Sequence, residues 1–144
     1  MESYQQAMTG NATPRVLHIL GELRPSGAEV MLRIAAPSWF PVDRPHTILA
    51  TAKEEGPFAG RLREAGYQVH HVRFSKTLRF FIRIYALIRR ERYDAVHIHT
   101  ERANLVYAIV ARLAGVDQVI HTIHANFAFT GGLRVVRKFM RVGL

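Results

Sequence analysis

Residues 15–29 read RVLHILGELRPSGAE, and this stretch decides the fold. The apolar run Val16–Leu20 is typical of a buried strand, and it stops at Gly21. The polar turn that follows contains Ser26 and Gly27, and apolar residues then recur at helical spacing. A strand, a glycine-bearing turn and a helix in succession predict one unit of an α/β fold. Such a turn is a place where an anionic ligand can bind.

The composition limits the class of protein. A chain of 144 residues fits one domain, which we place at residues 15–144. Residues 1–14 are polar and lack the basic-then-apolar order of a secretory signal, so we predict a flexible tail there. The chain has no cysteine, which excludes disulfides, thiolate metal ligands and cysteine nucleophiles. No apolar run approaches the roughly 18 residues that a membrane-spanning helix needs.

The charge is strongly positive. Lysine and arginine number 20 against 11 acidic residues, a formal net charge of +9. Such a balance favours anionic partners, namely phosphates, anionic lipid surfaces or nucleic acid. No helix-turn-helix, zinc-finger or RNA-recognition motif accompanies the charge, so we predict no nucleic-acid partner.

Predicted strands and helices alternate along the whole domain. The predicted strands are 15–20, 46–51, 68–74, 95–100 and 118–124, and the predicted helices are 28–36 (ending before Pro37), 56–65, 76–92 and 102–115. Near-continuous apolar strands of this kind form a parallel sheet that is covered on both faces. We therefore predict a Rossmann-like, doubly wound sheet of about five strands in the order 3-2-1-4-5.

Ligands of such sheets bind at the carboxyl ends of the strands, where the strand order reverses. The segments that meet there are Gly21–Ala28, His99–Asn104 and His124–Phe129. We expect Gly27 to permit close backbone approach and unusual backbone angles, with helix amides facing a phosphate. The turn is neither a G-x-G-x-x-G nor a Walker motif, so a tight connection without a ligand remains an alternative.

Four histidines lie in or after the fourth and fifth strands. We predict that His97 and His121 are structural, within the sheet. We predict that His99 and His124 are functional, because they stand at strand ends that face the crevice. No H-E-x-x-H motif and no carboxylate cluster accompanies these histidines, so we predict no metal site.

The long helix 76–92 combines apolar and basic residues. We predict that its buried face consists of Leu78, Phe81, Ile82, Tyr85 and Ile88. Its arginines form either a solvated basic face or a contact with an anionic membrane surface, and a further basic segment follows near the C-terminus. We accordingly expect a cytoplasmic protein, with peripheral attachment to the inner face of the membrane left open.

Four motifs together resemble the N-terminal domain of family 4 glycosyltransferases, which have the GT-B fold. They are VLHILGELRPSGAEVMLRIA (16–35), EEGPFAGRLREAGYQVH (54–70), YDAVHIHTERANLVYAIVARLAGV (93–116) and VIHTIHANF (119–127). The resemblance implies two Rossmann-like domains that close over a nucleotide-sugar donor and a saccharide or lipid-linked acceptor. It also implies transfer with retention of anomeric configuration, without a cofactor or a catalytic metal.

The resemblance also assigns roles to residues. It implies that His124 is catalytic and that Ser26, Gly27, His99 and Asn126 bind substrate. Serine at position 26 replaces a glycine of the family loop, which predicts a less close approach to the ligand. The donor-binding C-terminal domain of the family has no counterpart in these residues. We therefore expect no activity from this chain alone, whether it is a fragment, a truncated product or half of a split enzyme; a non-catalytic anion- or nucleotide-binding module is the alternative.

Overall fold

The computed structural model describes residues 14–39, 46–101 and 103–122, and within these ranges five strands alternate with four helices. The strands are β1 (Val16–Leu20), β2 (Thr47–Ala50), β3 (Gln68–His71), β4 (Ala95–Ile98) and β5 (Gln118–His121). The helices are α1 (Gly27–Trp39), α2 (Ala59–Glu64), α3 (Leu78–Glu91) and α4 (Asn104–Leu113).

The five strands form one parallel sheet in the order β3-β2-β1-β4-β5. This confirms the predicted α/β class and strand order. The central strand β1 pairs with β2 on one side and β4 on the other, so that His18 is in register with both Ile48 and His97. The connections that leave β1 and β4 therefore start next to each other, at the carboxyl edge of the sheet.

Each face of the sheet carries its own hydrophobic core. Leu20 and Ile48 pack with Leu32 of α1 and Leu62 of α2 on one face. On the other face the buried residues come from alternate strand positions and from α3 and α4: Leu17, Ile19, Val96, Ile98, Phe80, Ile84, Ile88, Tyr107 and Val110. This alternation is what a strand covered on both sides requires, because successive side chains point to opposite faces.

The end predicted for the first helix is wrong, because α1 continues through Pro37 to Trp39. A proline inside a helix removes the hydrogen bond to the carbonyl four residues earlier, here that of Arg33. Both Arg33 and Pro37 are exposed, so water can satisfy that carbonyl. Ala36, which is 2% exposed, keeps the final turn packed against the core.

The predicted buried face of the third helix is also partly wrong. Leu78, Ile82 and Tyr85 of α3 are exposed by 74%, 55% and 39%. Ile88 is buried as predicted, and the other buried residues are Phe80 and Ile84. Apolar residues form two stripes along α3, and each stripe has helical spacing. Packing against the sheet and α4 covers only one of them.

Candidate functional site

The turn after β1 leads directly into α1 at the carboxyl edge of the sheet. The hydroxyl of Ser26 donates to the carboxylate of Glu29, which is only 5% exposed. The backbone N–H of Val30 donates to the carbonyl of Ser26 over 2.9 Å. The serine hydroxyl is thus engaged with a carboxylate in the first turn of α1, where serine followed three residues later by glutamate is a common pair.

Gly27 is the first residue of α1 and is exposed. A Cβ atom placed at Gly27, or at Gly21, would meet no protein atom within 4 Å. The described glycines with positive φ are Gly56, Gly66 and Gly115, so the unusual backbone angles expected of Gly27 are not found. The protein's own packing therefore gives no reason for a glycine at position 27, whereas a ligand that approaches the backbone would.

The loop after β2 holds the turn after β1 in place. The backbone N–H of Leu23 donates to the carbonyl of Glu55 over 2.8 Å, and the carbonyl of Leu23 accepts from Phe58 over 2.9 Å. Gly56 lies between these two contacts with φ of +105°, a conformation that favours glycine. The Gly56–Pro57 pair indicated only the start of a helix in the sequence, and its role in fixing this turn was not predicted.

A row of imidazoles crosses the sheet on the face that α1 and α2 cover. His99 follows β4, is 8% exposed, and donates its backbone N–H to the carbonyl of Ile19 over 2.9 Å. Its Nε2 lies 3.3 Å from Nδ1 of His18, whose Nε2 lies 3.3 Å from Nδ1 of His46. The three rings therefore form a continuous hydrogen-bonding row from β4 across β1 to the start of β2.

The two remaining described histidines of the later strands have partners in the sheet. Nε2 of His97 lies 2.6 Å from the hydroxyl of Thr122, and the ring is half-buried. His121, at the end of β5, lies 3.4 Å from the side-chain amide of Asn104. His97 thus lies beside His99, with ring centroids 3.9 Å apart, while His121 belongs to the opposite face.

Burial favours the uncharged forms of His18 and His46. Burial lowers the pKa of His18 well below 6.5, and positive charge on His99, His97 or His46 would lower it further. Burial also lowers the pKa of His46. A neutral imidazole donates one hydrogen bond and accepts one, or binds a metal ion, so the row can orient hydroxyls or phosphates or coordinate an ion.

Two of the predicted site residues, His124 and Asn126, lie outside the described residues, as does the whole segment His124–Phe129. The structure brings Ser26, Gly27 and His99 to the same edge of the sheet. His18 and His46 were not identified as site residues from the sequence. The signal that could have found His18 is its position in the run VLHIL, which puts it on the same face as His97 once β1 pairs with β4.

A groove opens where α3 and α4 begin. It has a volume of about 640 Å³ and is lined by Phe74, Lys76, Phe81, Ala103 and Val106. Its aromatic residues pack edge to face, with ring centroids of Phe74 and Phe81 6.3 Å apart. Because helices that follow parallel strands begin at the carboxyl edge, the groove opens on the same edge as the glycine-bearing turn.

Among the described helices, none is both long and apolar enough to cross a membrane.

Comparison with known proteins identifies relatives of this chain. A family model described as "Glycosyl transferase 4-like" matches residues 46–144. The chain is 37% identical over 71 residues to the Escherichia coli UDP-Gal:alpha-D-GlcNAc-diphosphoundecaprenol alpha-1,3-galactosyltransferase. That match covers 46% of this chain and 18% of the relative.

Two solved structures share the fold. A glycosyltransferase from Rickettsia africae superimposes with a TM-score of 0.65 over 88% of this chain, at 16% identity. Anabaena HepE, in complex with UDP and glucose, superimposes with a TM-score of 0.62 over 85% of this chain, at 24% identity. The chain spans 34% of the length of each, about a third.

Proposed function

The chain belongs to the glycosyl transferase 4-like family, and from this premise we propose that it is the N-terminal, acceptor-side half of a retaining hexosyltransferase. In this proposal a sugar passes from a nucleotide-sugar donor to a saccharide or lipid-linked acceptor. A second domain, supplied in cis or in trans, holds most of the nucleotide. The described sheet supplies the acceptor side of the crevice and is inactive alone, because closure of two domains assembles the reacting groups.

The observation that carries the proposal is the open space above Gly27, at the sheet edge where His99 also follows its strand. The carboxyl ends of β1 and β4 are adjacent, so these residues face one crevice. The amide groups at the start of α1 carry partial positive charge and favour a phosphate of the donor or acceptor. Amides already oriented toward a departing diphosphate stabilise its charge in the transition state without reorganisation.

We assign the other site residues on the family motifs. His124 is the proposed catalytic group, and it orients a sugar hydroxyl and the leaving diphosphate through its two ring nitrogens. Asn126 and His99 bind substrate hydroxyls in this proposal. Ser26 contributes to substrate binding through its backbone, since its hydroxyl already donates to Glu29.

The groove at the start of α3 and α4 is our proposed site for the acceptor's lipid. The Escherichia coli relative is named for an acceptor on diphosphoundecaprenol, which joins an apolar chain to a diphosphate. The aromatic walls of Phe74 and Phe81 suit the apolar chain, and the ammonium of Lys76 suits the diphosphate. Exposed arginines of α3 would then face anionic lipid, so that the protein acts peripherally at the cytoplasmic face of a membrane.

A chimaera tests the proposal. Residues 1–144 are joined to the donor-binding half of the Escherichia coli relative, and transfer of labelled galactose from UDP-galactose to N-acetylglucosaminyl-diphosphoundecaprenol is measured. We expect no transfer by residues 1–144 alone and measurable transfer by the chimaera. A second chimaera carries Gly27→Val, which fills the open space above the turn and so tests the role of that space. We expect it to fold and to lose most of its activity.

The opposite results contradict distinct parts of the proposal. Turnover by residues 1–144 alone would show that no second domain is needed. A folded chimaera that binds UDP-galactose yet transfers no sugar, to this acceptor or to a panel of lipid-linked saccharides, would favour the non-catalytic anion-binding module.

A further inference from the structure

Three histidines from two neighbouring strands meet on the face of the sheet that α1 and α2 cover. They are His18 of β1, His97 of β4 and His99, and one ring nitrogen of each lies within 4.8 Å of the others. Pairing of β1 with β4 puts His18 in register with His97. His99 is two residues further along and so points to the same face.

The spacing of the His18 and His99 nitrogens fits tetrahedral coordination of a metal ion. A zinc ion bound to imidazole at about 2.0–2.1 Å separates two coordinating nitrogens by roughly 3.3–3.4 Å. Nδ1 of His18 lies 3.3 Å from Nε2 of His99. The ring of His97 lies against that of His99, with centroids 3.9 Å apart, so the third imidazole borders the same small volume.

The neighbouring polar groups match those that surround metal-bound imidazoles. A ligating histidine usually donates the N–H of its other ring nitrogen to an acceptor. With an ion on Nδ1 of His18, its Nε2 is 3.3 Å from the acceptor Nδ1 of His46. The ring of His97 has an equivalent partner in the hydroxyl of Thr122. His46 and Thr122 would thus hold the two ligand rings in orientation.

Hydrogen bonds alone account for part of this arrangement. A row of neutral imidazoles also places ring nitrogens about 3.3 Å apart, and it needs only His46, His18 and His99. The register of β1 with β4 brings a ring nitrogen of His97 within 4.8 Å of those of His18 and His99 as well. Three imidazole nitrogens at this spacing are a ligand set that one ion can use.

We propose that His18, His97 and His99 bind one divalent transition-metal ion, with zinc as the best fit, and leave a fourth position open to water or a phosphate oxygen. Imidazole suits zinc and its neighbours in the first transition row. The half-buried His97 provides the side from which the ion enters. The ion joins β1 to β4 within the sheet and so holds His99 in place at the end of β4.

The test uses the 144-residue chain, produced without a histidine tag and stripped with a chelator. Zn²⁺ alone is titrated by calorimetry, and Co²⁺ is titrated by visible absorption, which reports tetrahedral nitrogen coordination. We expect one ion per chain, with a micromolar or tighter dissociation constant near neutral pH. Saturating Zn²⁺ should raise the midpoint of thermal unfolding by roughly 5 °C or more.

Variants locate the site. His97→Ala removes a half-buried ligand and should weaken binding by at least roughly 100-fold, and His46→Ala removes an orienting partner and should weaken it by about 10- to 100-fold. The matched control is His70→Ala, an exposed histidine of β3, which should bind as the parent chain does. Circular dichroism confirms that each variant is folded. A folded parent chain that binds no Zn²⁺, or equal binding by the parent and His97→Ala, would overturn the proposal.

Discussion

Gly56 lies against the backbone of Leu23, so closely that a Cβ atom at position 56 would stand 2.6 Å from the nitrogen of Leu23 and 2.7 Å from its carbonyl carbon. Leu23 is fully buried and lies in the turn that joins β1 to α1. The loop after β2 therefore fixes the position of the glycine-bearing turn. It does so through Gly56, which is far from that turn in the sequence.

We predict that Gly56→Ala destabilises the chain by about 2 to 4 kcal/mol. The new methyl group must move the Leu23 backbone and its two hydrogen bonds, and φ of +105° strains any residue other than glycine. Urea unfolding followed by circular dichroism measures the difference. The control is Gly60→Ala, within α2, where a Cβ meets open space and alanine should stabilise by about 0.5 to 1 kcal/mol. Equal stability of the two variants would mean that Gly56 does not hold the turn.

Gly27→Val should separate ligand binding from folding. Because a Cβ atom at Gly27 would meet no protein atom within 4 Å, we expect the free energy of unfolding to change by less than about 0.5 kcal/mol. We expect the affinity for pyrophosphate or UDP to fall at least about tenfold, since the side chain blocks approach to the helix amides. The measurement is the shift of the Gly27–Glu29 amide resonances during NMR titration. Unchanged affinity in the valine variant would remove Gly27 from the proposed site.

The strand order could be predicted because it follows from pattern and chain geometry. Apolar runs such as Val16–Leu20 alternate with helical spacing, and right-handed crossovers leave few arrangements of a parallel sheet. The glycines that end α2 and α4 were also correctly identified, and Gly66 and Gly115 adopt φ of +104° and +88°. These features depend on residues close together in sequence.

The features that were not predicted depend on contacts between distant segments. Which apolar stripe of α3 is buried depends on where α4 and the sheet lie, so Ile84 and Ile82 could not be distinguished from spacing alone. The meeting of His18 with His99 requires the register of β1 with β4. The contact of Gly56 with Leu23 joins two loops whose lengths and conformations no local pattern specifies.

The ion pair at the start of β1 predicts that the stability of the fold depends on pH. Arg15 binds Glu91 of α3, with Nη2 2.8 Å from Oε2, and hydrogen bonds from Arg90 and then Arg15 lower the pKa of Glu91. A carboxylate whose pKa is lowered by folding stabilises the protein above its unfolded pKa and loses that effect as pH falls through the folded pKa. We expect Glu91→Gln to cost less than about 1 kcal/mol at pH 7, because the pair is partly solvated.

The same cost should shrink below about pH 5 and vanish in more acidic solution, where Glu91 is protonated in the parent chain too. Urea unfolding at several pH values measures it. The control is Glu64→Gln, which removes an exposed carboxylate from α2. A difference between parent and Glu91→Gln that persists undiminished at pH 3 would contradict an electrostatic role for the pair.

Membrane attachment should depend on one face of the molecule. Arg79 and Arg83 are exposed on α3 beside the exposed Leu78 and Ile82. Each cation near an anionic surface contributes on the order of 1 kcal/mol, so reversing both charges should weaken partition into anionic vesicles by about 10- to 100-fold. Co-sedimentation at increasing salt measures this, because salt screens the attraction.

The matched control for that experiment is Arg33→Glu with Arg61→Glu, which makes the same change of net charge on the helices of the opposite sheet face. We expect the control to retain most of its binding. If both double variants lose binding equally, net charge alone attracts the chain, and α3 is not the contact surface.

Two histidines three residues apart should behave differently when replaced in the chimaera with a donor-binding half. His121 lies beside the amide of Asn104, so His121→Ala should lower stability by about 0.5 to 1.5 kcal/mol and leave turnover within a few fold. His124 is the proposed catalytic group, and loss of one well-placed donor typically lowers turnover by about 10²- to 10³-fold. Because such a contact strengthens in the transition state, the loss should appear in kcat rather than in KM.

Kinetics and thermal unfolding of both variants distinguish a catalytic role from a packing role. A His124→Ala protein that unfolds early but turns over normally would make His124 a packing residue, and the catalytic role would have to pass to another group in the crevice.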